Sequence, residues 1–245
     1  MAFTHLHVHS QYSVLDGMSK VTELVDKCLR TGMYSLALTD HGNMYGIKEF
    51  LDYSKSVNKK LKEKAEQDGV EYVPFKPIVG TEAYCARRGR HSKTNEEAVN
   101  SEGRRYTIDR SGWHLILLAK NKQGYLNLCK IVSYSFMDDA YNYTPRIDKE
   151  LLEQYHEGII CSSACLGGEL SQKIMAGDLE AAEETVKWFK NLFGDDYYIE
   201  LQRHKTDKPG GDQEVYQRAH CSHACRRVTS PHQVVLSPSS GRPVC

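Results

Sequence analysis

His5, His7 and His9 stand two residues apart in an alternating stretch, with Leu6 and Val8 between them. At the period of a strand the three imidazoles share one face. Two imidazoles so spaced can bind one metal ion, although an isolated H-x-H pair is weak evidence because such pairs also arise incidentally. Further potential ligands stand at or beside the ends of later strand-like runs. Asp16 lies in the loop Ser13-Val14-Leu15-Asp16-Gly17, and Asp40-His41-Gly42 closes a second run. Glu82 closes a third run after Gly80, His114 opens a fourth, and Cys165 follows a run that ends near Ser163. Imidazoles, carboxylates and one thiolate suit zinc, or manganese or iron. The set exceeds what a single tetrahedral site needs, so two or three divalent ions sharing bridging carboxylates is the economical reading. Such clusters hydrolyse phosphoesters, one ion activating water and another stabilising the leaving oxygen.

Alternating strand and helix signals must bring these residues together. Phe3–Val8 alternates as a strand, and Ser19 is a plausible N-cap for a helix running to Arg30 and closed by Gly32. Tyr34–Thr39 reads as a strand, Ile47–Gln67 as a helix ended by Gly69, and Pro77–Tyr84 as a strand. Residues 86–112 are polar and rich in Arg, Ser and Gly, which predicts a long loop. Trp113–Ala119 reads as a strand and Lys122–Phe136 as a helix. Asp148–Tyr155 follows as a short helix and Gly158–Ser163 as a strand. Glu169–Met175 and Leu179–Phe193 read as helices, and Tyr197–Leu201 as the last strand. Repeated β-α units predict an α/β fold with a mainly parallel sheet or barrel. Function in such folds sits at the carboxyl ends of the strands.

The chain has 245 residues, enough for one α/β domain or two small ones. Its formal net charge is zero, so no global basic field argues for nucleic acid. A local groove can still bind DNA within a neutral protein. No stretch approaches the roughly 20 apolar residues of a membrane span, and the amino terminus lacks a secretory pattern. The expected location is the cytoplasm, with no membrane partner. Residues 218–245 differ in composition: they hold no Asp, Glu, Lys, Phe, Tyr or Trp, but four Arg and three Pro. The body, residues 1–217, therefore carries all 32 acidic residues against 28 basic ones. The tail has no periodicity and few large apolar groups. It is expected to be unstructured, either non-native sequence or a disordered linker.

Particular runs carry a resemblance. FTHLHVHSQYSVLDG, LALTDHGNMYG, KPIVGTEAYCA, HLILLAKNKQGYLNL, GIICSSACLGGEL and YYIELQRH resemble the PHP modules of bacterial DNA polymerase III alpha subunits. The similarity covers nearly all of residues 2–216. The H-x-H, TDHG and G-x-E motifs are shared with PHP proteins generally, whereas SACLGGEL and the AKN-x-x-GY-x-NL run are more specific to the polymerases. The resemblance implies a distorted parallel (β/α) barrel with a metal cluster at its mouth. It implies that His7 and His9 are the paired imidazole ligands, Asp16 the loop aspartate and His41 the ligand after the second strand. Glu82 would be the bridging carboxylate, and His114 and Cys165 the later ligands. His5 falls outside the pair, and Asp40 is expected to orient the strand end. The family closes its set with an Asp-x-His that nothing after Glu200 matches. The barrel is therefore expected to be incomplete at its carboxyl-terminal end, without a polymerase palm. The implied setting is DNA replication, with DNA and other replisome subunits as partners. The metal cluster would be either a 3′–5′ exonuclease-type phosphoesterase site or a structural centre. A stand-alone small-molecule phosphatase resembling histidinol phosphatase is the alternative.

Several tempting features have plainer readings. Cys28 and Cys129 sit on apolar helical faces and Cys161 in a strand, as core residues do. The Cys221-x-His223-x-Cys225 run is too tightly spaced for a usual zinc half-site. The basic run Lys55–Lys64 fits a solvated helix face. The arginines at 87, 88, 90, 104 and 105 fit an exposed loop better than a nucleic-acid groove, and Trp113 and Trp188 fit packing roles.

Overall fold

The computed structural model describes residues 3–93 and 112–202, together with short strands at 97–99, 105–107 and 234–237. Six strands are hydrogen-bonded in one curled path. They are β1 (Ser35–Leu38), β2 (Lys76–Cys85), β5 (Trp113–Ala119), β7 (Ile159–Ser162), β8 (Tyr197–Gln202) and β9 (Val234–Ser237). β6 (Arg146–Ile147) pairs with β2 off this path. The residues before Ser10 add to the other side of β1. There the Ala37 amide donates to the His5 carbonyl at 2.9 Å and the Thr39 amide to the Val8 carbonyl at 2.9 Å.

One strand breaks the parallel pattern. β1–β2, β7–β8 and β8–β9 are parallel, but β5 runs antiparallel to both β2 and β7. This reversal matters for the site. It sets the start of β5, with His114, opposite Tyr84 near the carboxyl end of β2.

Helices cover the outer face. α1 (Val21–Arg30) and α2 (Ile47–Asp68) pack on β1, burying Val25, Phe50 and Phe75. α3 (Lys122–Ser135), α4 (Lys149–Tyr155), α5 (Glu169–Met175) and α6 (Leu179–Phe193) bury Leu117, Leu128, Ile131 and Tyr197. Leu115 and Leu117 point outward to these helices, while Ile116 and Leu118 point inward. The inner pair meets Ala37, Ala164 and Ile160 in a small apolar plug. That alternation explains why Trp113–Ala119 is apolar at nearly every position: both faces of the strand are covered. Phe50 is fully buried and meets Phe75 edge-on at 6.4 Å. Phe50→Ala is expected to cost about 3–5 kcal/mol by transfer and cavity terms, read as a lower midpoint in urea unfolding.

Several elements differ locally from those expected from the sequence. Helix α1 starts at Val21 with Lys20 at its cap and no side-chain cap bond, so Ser19 is not the N-cap. Phe3–Val8 makes one bridge, His5 to Leu36, and bends at Leu6 and His7 rather than forming a regular strand. The expected loop over 86–112 contains an antiparallel ribbon, β3 (Glu97–Val99) with β4 (Arg105–Thr107). Within the tail, β9 pairs in parallel with β8 although no strand was expected there. Cys221, His223 and Cys225 lie outside the described residues, as do the side chains of Arg104 and Arg105. Cys28, Cys85 and Cys161 are buried, but Cys129 is only half-buried on α3. Arg90 is held by Asp148 at 2.7 Å, and Arg87 lies 3.7 Å above the Trp113 ring. Among the described residues no helix is long and apolar enough to cross a membrane.

Candidate metal centre

Glu82 is the seventh residue of the ten in β2, not its end, and its side chain is 1% exposed. Four imidazoles surround its carboxylate. Oε1 lies 2.8 Å from His114 Nδ1 and 3.4 Å from His7 Nε2. Oε2 lies 2.8 Å from both His9 Nε2 and His41 Nδ1. The four imidazoles arrive from three places: His7 and His9 from the amino-terminal segment, His41 from the turn after β1, and His114 from the start of reversed β5. Asp16 sits at the rim, with Oδ2 2.8 Å from His41 Nε2 and 3.5 Å from His9 Nδ1. Cys165 Sγ lies 3.4 Å from His114 Nδ1 and 3.7 Å from Glu82 Oε1. All seven residues singled out in the sequence therefore converge. His5 does not join them; its ring meets Phe3 edge-on at 4.9 Å.

Local structure holds these groups in place. Asp40 is buried and binds the loop that carries Asp16. It accepts from the Ser10 amide at 2.6 Å and from the Ser13 hydroxyl at 2.8 Å, while Ser13 Oγ accepts from the His41 amide at 3.1 Å. The turn after β1 needs its glycine. Gly42 has φ of 61°, and a Cβ there would lie 2.6 Å from Pro145 Cγ. Gly17 has an even closer neighbour, since a Cβ would fall 1.8 Å from the Ser10 carbonyl oxygen. At the far side Ala164 adopts φ of 59°, a left-handed conformation uncommon outside glycine, just before Cys165.

The donor set fits divalent ions on one specific observation. His9 Nε2, His41 Nδ1 and Glu82 Oε2 are buried and make no hydrogen bond. Yet each nitrogen stands 2.8 Å from that oxygen. The distances suit hydrogen bonds and the angles do not, which is how ligand atoms aimed at a shared ion are arranged. Three overlapping groups have donor atoms within 4.8 Å of one another: His7, His9 and Glu82; His9, Asp16 and His41; His41, Glu82 and His114. Each pair of groups shares one residue: His9, His41 or Glu82.

The comparisons with known proteins agree with this geometry. The family profile described as "PHP domain" matches residues 5–204. The chain belongs to the PHP family. DNA polymerase III subunit alpha of Borreliella burgdorferi is 42% identical over 202 residues, covering 82% of this chain and 15% of that protein. The subunit from Chlamydia pneumoniae is 42% identical over 208 residues, covering 85% of this chain and 14% of the relative. That from Treponema pallidum is 40% identical over 209 residues, 85% of this chain and 16% of the relative. The chain thus spans only about 15% of the length of the curated relatives it matches.

The electrostatics of this PHP domain follow from packing four imidazoles on one carboxylate. Burial alone would raise the Glu82 pKa, but the His7 charge and the close approach of His114 and His41 hold it well below the usual range. Burial alone would lower His7, but Glu200 and Glu82 raise it well above the usual imidazole value. His114 follows the same logic: against burial, Cys165 and Glu82 push it up to about 9. His41 is raised too, Glu82 and Asp16 overcoming its burial. Without a cation the raised imidazoles of His7, His41 and His114 favour the protonated form that balances the buried carboxylates.

Two residues of the PHP site escape a reading by motif. Tyr84 stacks on His41 at 5.7 Å and meets His114 edge-on at 5.3 Å. Burial and the nearby Glu82, Asp16 and Cys165 push its phenol up to about 12, so it stays neutral at the mouth. Glu200 accepts a hydrogen bond from His7 Nδ1 at 2.9 Å. The alternation of Tyr197–Gln202 does place Glu200 on the same face as Tyr198 and Gln202, but only the curl of the sheet reveals what that face meets.

Proposed function

We propose that this chain is the PHP module of a replicative DNA polymerase of the III alpha type, and that its cluster is a metal-dependent phosphoesterase site acting on DNA 3′ ends. His7, His9, Asp16, His41, Glu82, His114 and Cys165 would hold two or three divalent ions, zinc foremost, with manganese or iron as alternatives. The observation that carries this reading is the sharing of the buried Glu82 carboxylate by four imidazoles, all of them in overlapping ligand groups. Divalent ions there would supply an activated water and a counter-charge for the leaving oxygen. The chain's own part is to hold those ions at a dry, shaped mouth. Glu82 bridges, Asp16 guards the rim, and Tyr84 presents a neutral phenol that can donate to an anionic oxygen. The replicase setting rests on the named relatives. It brings DNA and further replisome subunits as partners, and the bacterial cytoplasm as location. Residues 1–217 would form the metal-binding unit, and residues 218–245 an appendage to it.

The test is cleavage of a single-stranded oligonucleotide labelled at its 5′ end by the purified chain with Mn²⁺ or Zn²⁺. Stepwise shortening from the 3′ end is expected, abolished by a chelator and by His9→Ala. An intact oligonucleotide with a metal-loaded chain would overturn the catalytic reading.

A further inference from the structure

We infer that Glu200 is the positioning residue that fixes His7 as an Nε2 ligand, and that it does so across the opening of the barrel. The inference deepens the metal reading above and rests on it. His7 lies in the segment added to β1, whereas Glu200 lies in β8, at the other end of the run of strands from β1 to β8. Their side chains nevertheless meet at 2.9 Å, and both are almost fully buried, 8% and 4% exposed.

The protons around His7 can be assigned from chemistry. A neutral imidazole has one lone pair; one ring nitrogen must carry hydrogen. A carboxylate only accepts, so His7 Nδ1, 2.9 Å from Glu200 Oε1, carries the proton. The opposite tautomer would set two lone pairs against each other at that distance. Gln202 Nε2 donates to the same Glu200 oxygen at 2.8 Å, which also explains why it lies 3.1 Å from Nδ1: two donors converge on one acceptor. With Nδ1 engaged, Nε2 faces the cluster, 3.4 Å from Glu82 Oε1.

Glu200 is itself held at three points. Gln202 binds one oxygen, the Ser162 hydroxyl donates to the other at 3.2 Å, and the Ser163 hydroxyl accepts from the Glu200 amide at 3.0 Å. A carboxylate so fixed is not free to turn toward a metal, and Glu200 belongs to none of the three candidate ligand groups. Its place is behind the ligand, where such partners set the tautomer and raise ligand basicity.

The experiment compares wild type, Glu200→Ala and Glu200→Gln by titration of Zn²⁺ against a fluorescent chelator, with urea unfolding of each metal-free chain. Glu200→Ala is expected to bind the tightest zinc about 10- to 100-fold more weakly, the usual effect of losing an outer partner. Glu200→Gln keeps an acceptor for Nδ1–H and is expected to recover most of that loss. Equal zinc affinity in wild type and Glu200→Ala would overturn the positioning role while leaving the metal centre intact. Equal losses in both variants, each with a lower urea midpoint, would also overturn it, since Glu200 would then serve only the fold. A wild-type chain that binds no zinc would overturn the metal reading itself, and this inference with it.

Discussion

Glu82→Gln is expected to empty the metal centre and to weaken the fold in the same step. The variant has almost the same shape and removes one charge at the point where four imidazoles meet. Against burial, that charge helps to raise His7 together with Glu200, His114 together with Cys165, and His41 together with Asp16. Removing one partner of a buried ion pair leaves the other uncompensated, at a cost of about 3–5 kcal/mol. The cost here falls at the upper part of that range only if the imidazoles cannot shed their protons, so it is best read at low pH. The measurement is urea unfolding of the metal-free chain at pH 6, together with zinc content after dialysis. A wild-type midpoint with retained zinc would show that Glu82 is neither bridge nor counter-charge.

The second large effect is in pH. Metal ions need neutral imidazoles, whereas the metal-free site holds protonated ones. His114 sits at about 9, and His7 is raised well above its ordinary value. Below pH 9 an entering ion must displace the His114 proton. By linkage that displaced proton lowers apparent affinity about tenfold per pH unit, and the raised His7 and His41 steepen the dependence further. Zinc affinity is therefore expected to rise steeply from pH 6 toward 9, with proton release visible by calorimetry in buffers of different ionisation heat. An affinity flat across that window would contradict the electrostatics described above.

The same groups set the stability of the metal-free chain, with opposite signs. The His114 pKa is raised on folding, so its contribution is full below about 6.5, the unperturbed value, and is lost as pH rises through about 9. The Glu82 pKa is lowered, so its contribution is present above the unperturbed value near 4.5 and lost as pH falls through the folded one. Alkaline solution thus favours metal uptake while weakening the apo site. Bound metal is expected to stabilise the chain most at the upper end of the window.

Much of this arrangement was legible in the sequence because its signals are local. Helix α2 announces itself by apolar positions at Ile47, Phe50 and Val57 and by Gly69 at its end, with φ of 63°. Asn121, Asp148 and Asp178 each accept a hydrogen bond from the first turn of the helix they cap. The seven ligand candidates were legible because each sits in a motif beside a strand. What was not legible depends on long-range geometry. The reversal of β5 leaves no mark on its composition, since Trp113–Ala119 is apolar whichever way it runs. Ser19 has the right side chain for an N-cap, but the helix begins after Lys20 with an extended backbone there. Ser10 and Ser13, not a helix, claim the buried Asp40. Glu200 looked like an ordinary strand residue, because its partner lies 193 residues away along the chain.

Metal stoichiometry of the purified chain is the most direct measurement, made by elemental mass spectrometry beside a His7→Ala/His9→Ala control. Two or three divalent ions per chain, absent from the control, are expected from donor groups that share Glu82, His9 and His41. A wild-type chain that holds no stoichiometric ion after reconstitution, or a control that holds as many, would contradict a metal centre at this site.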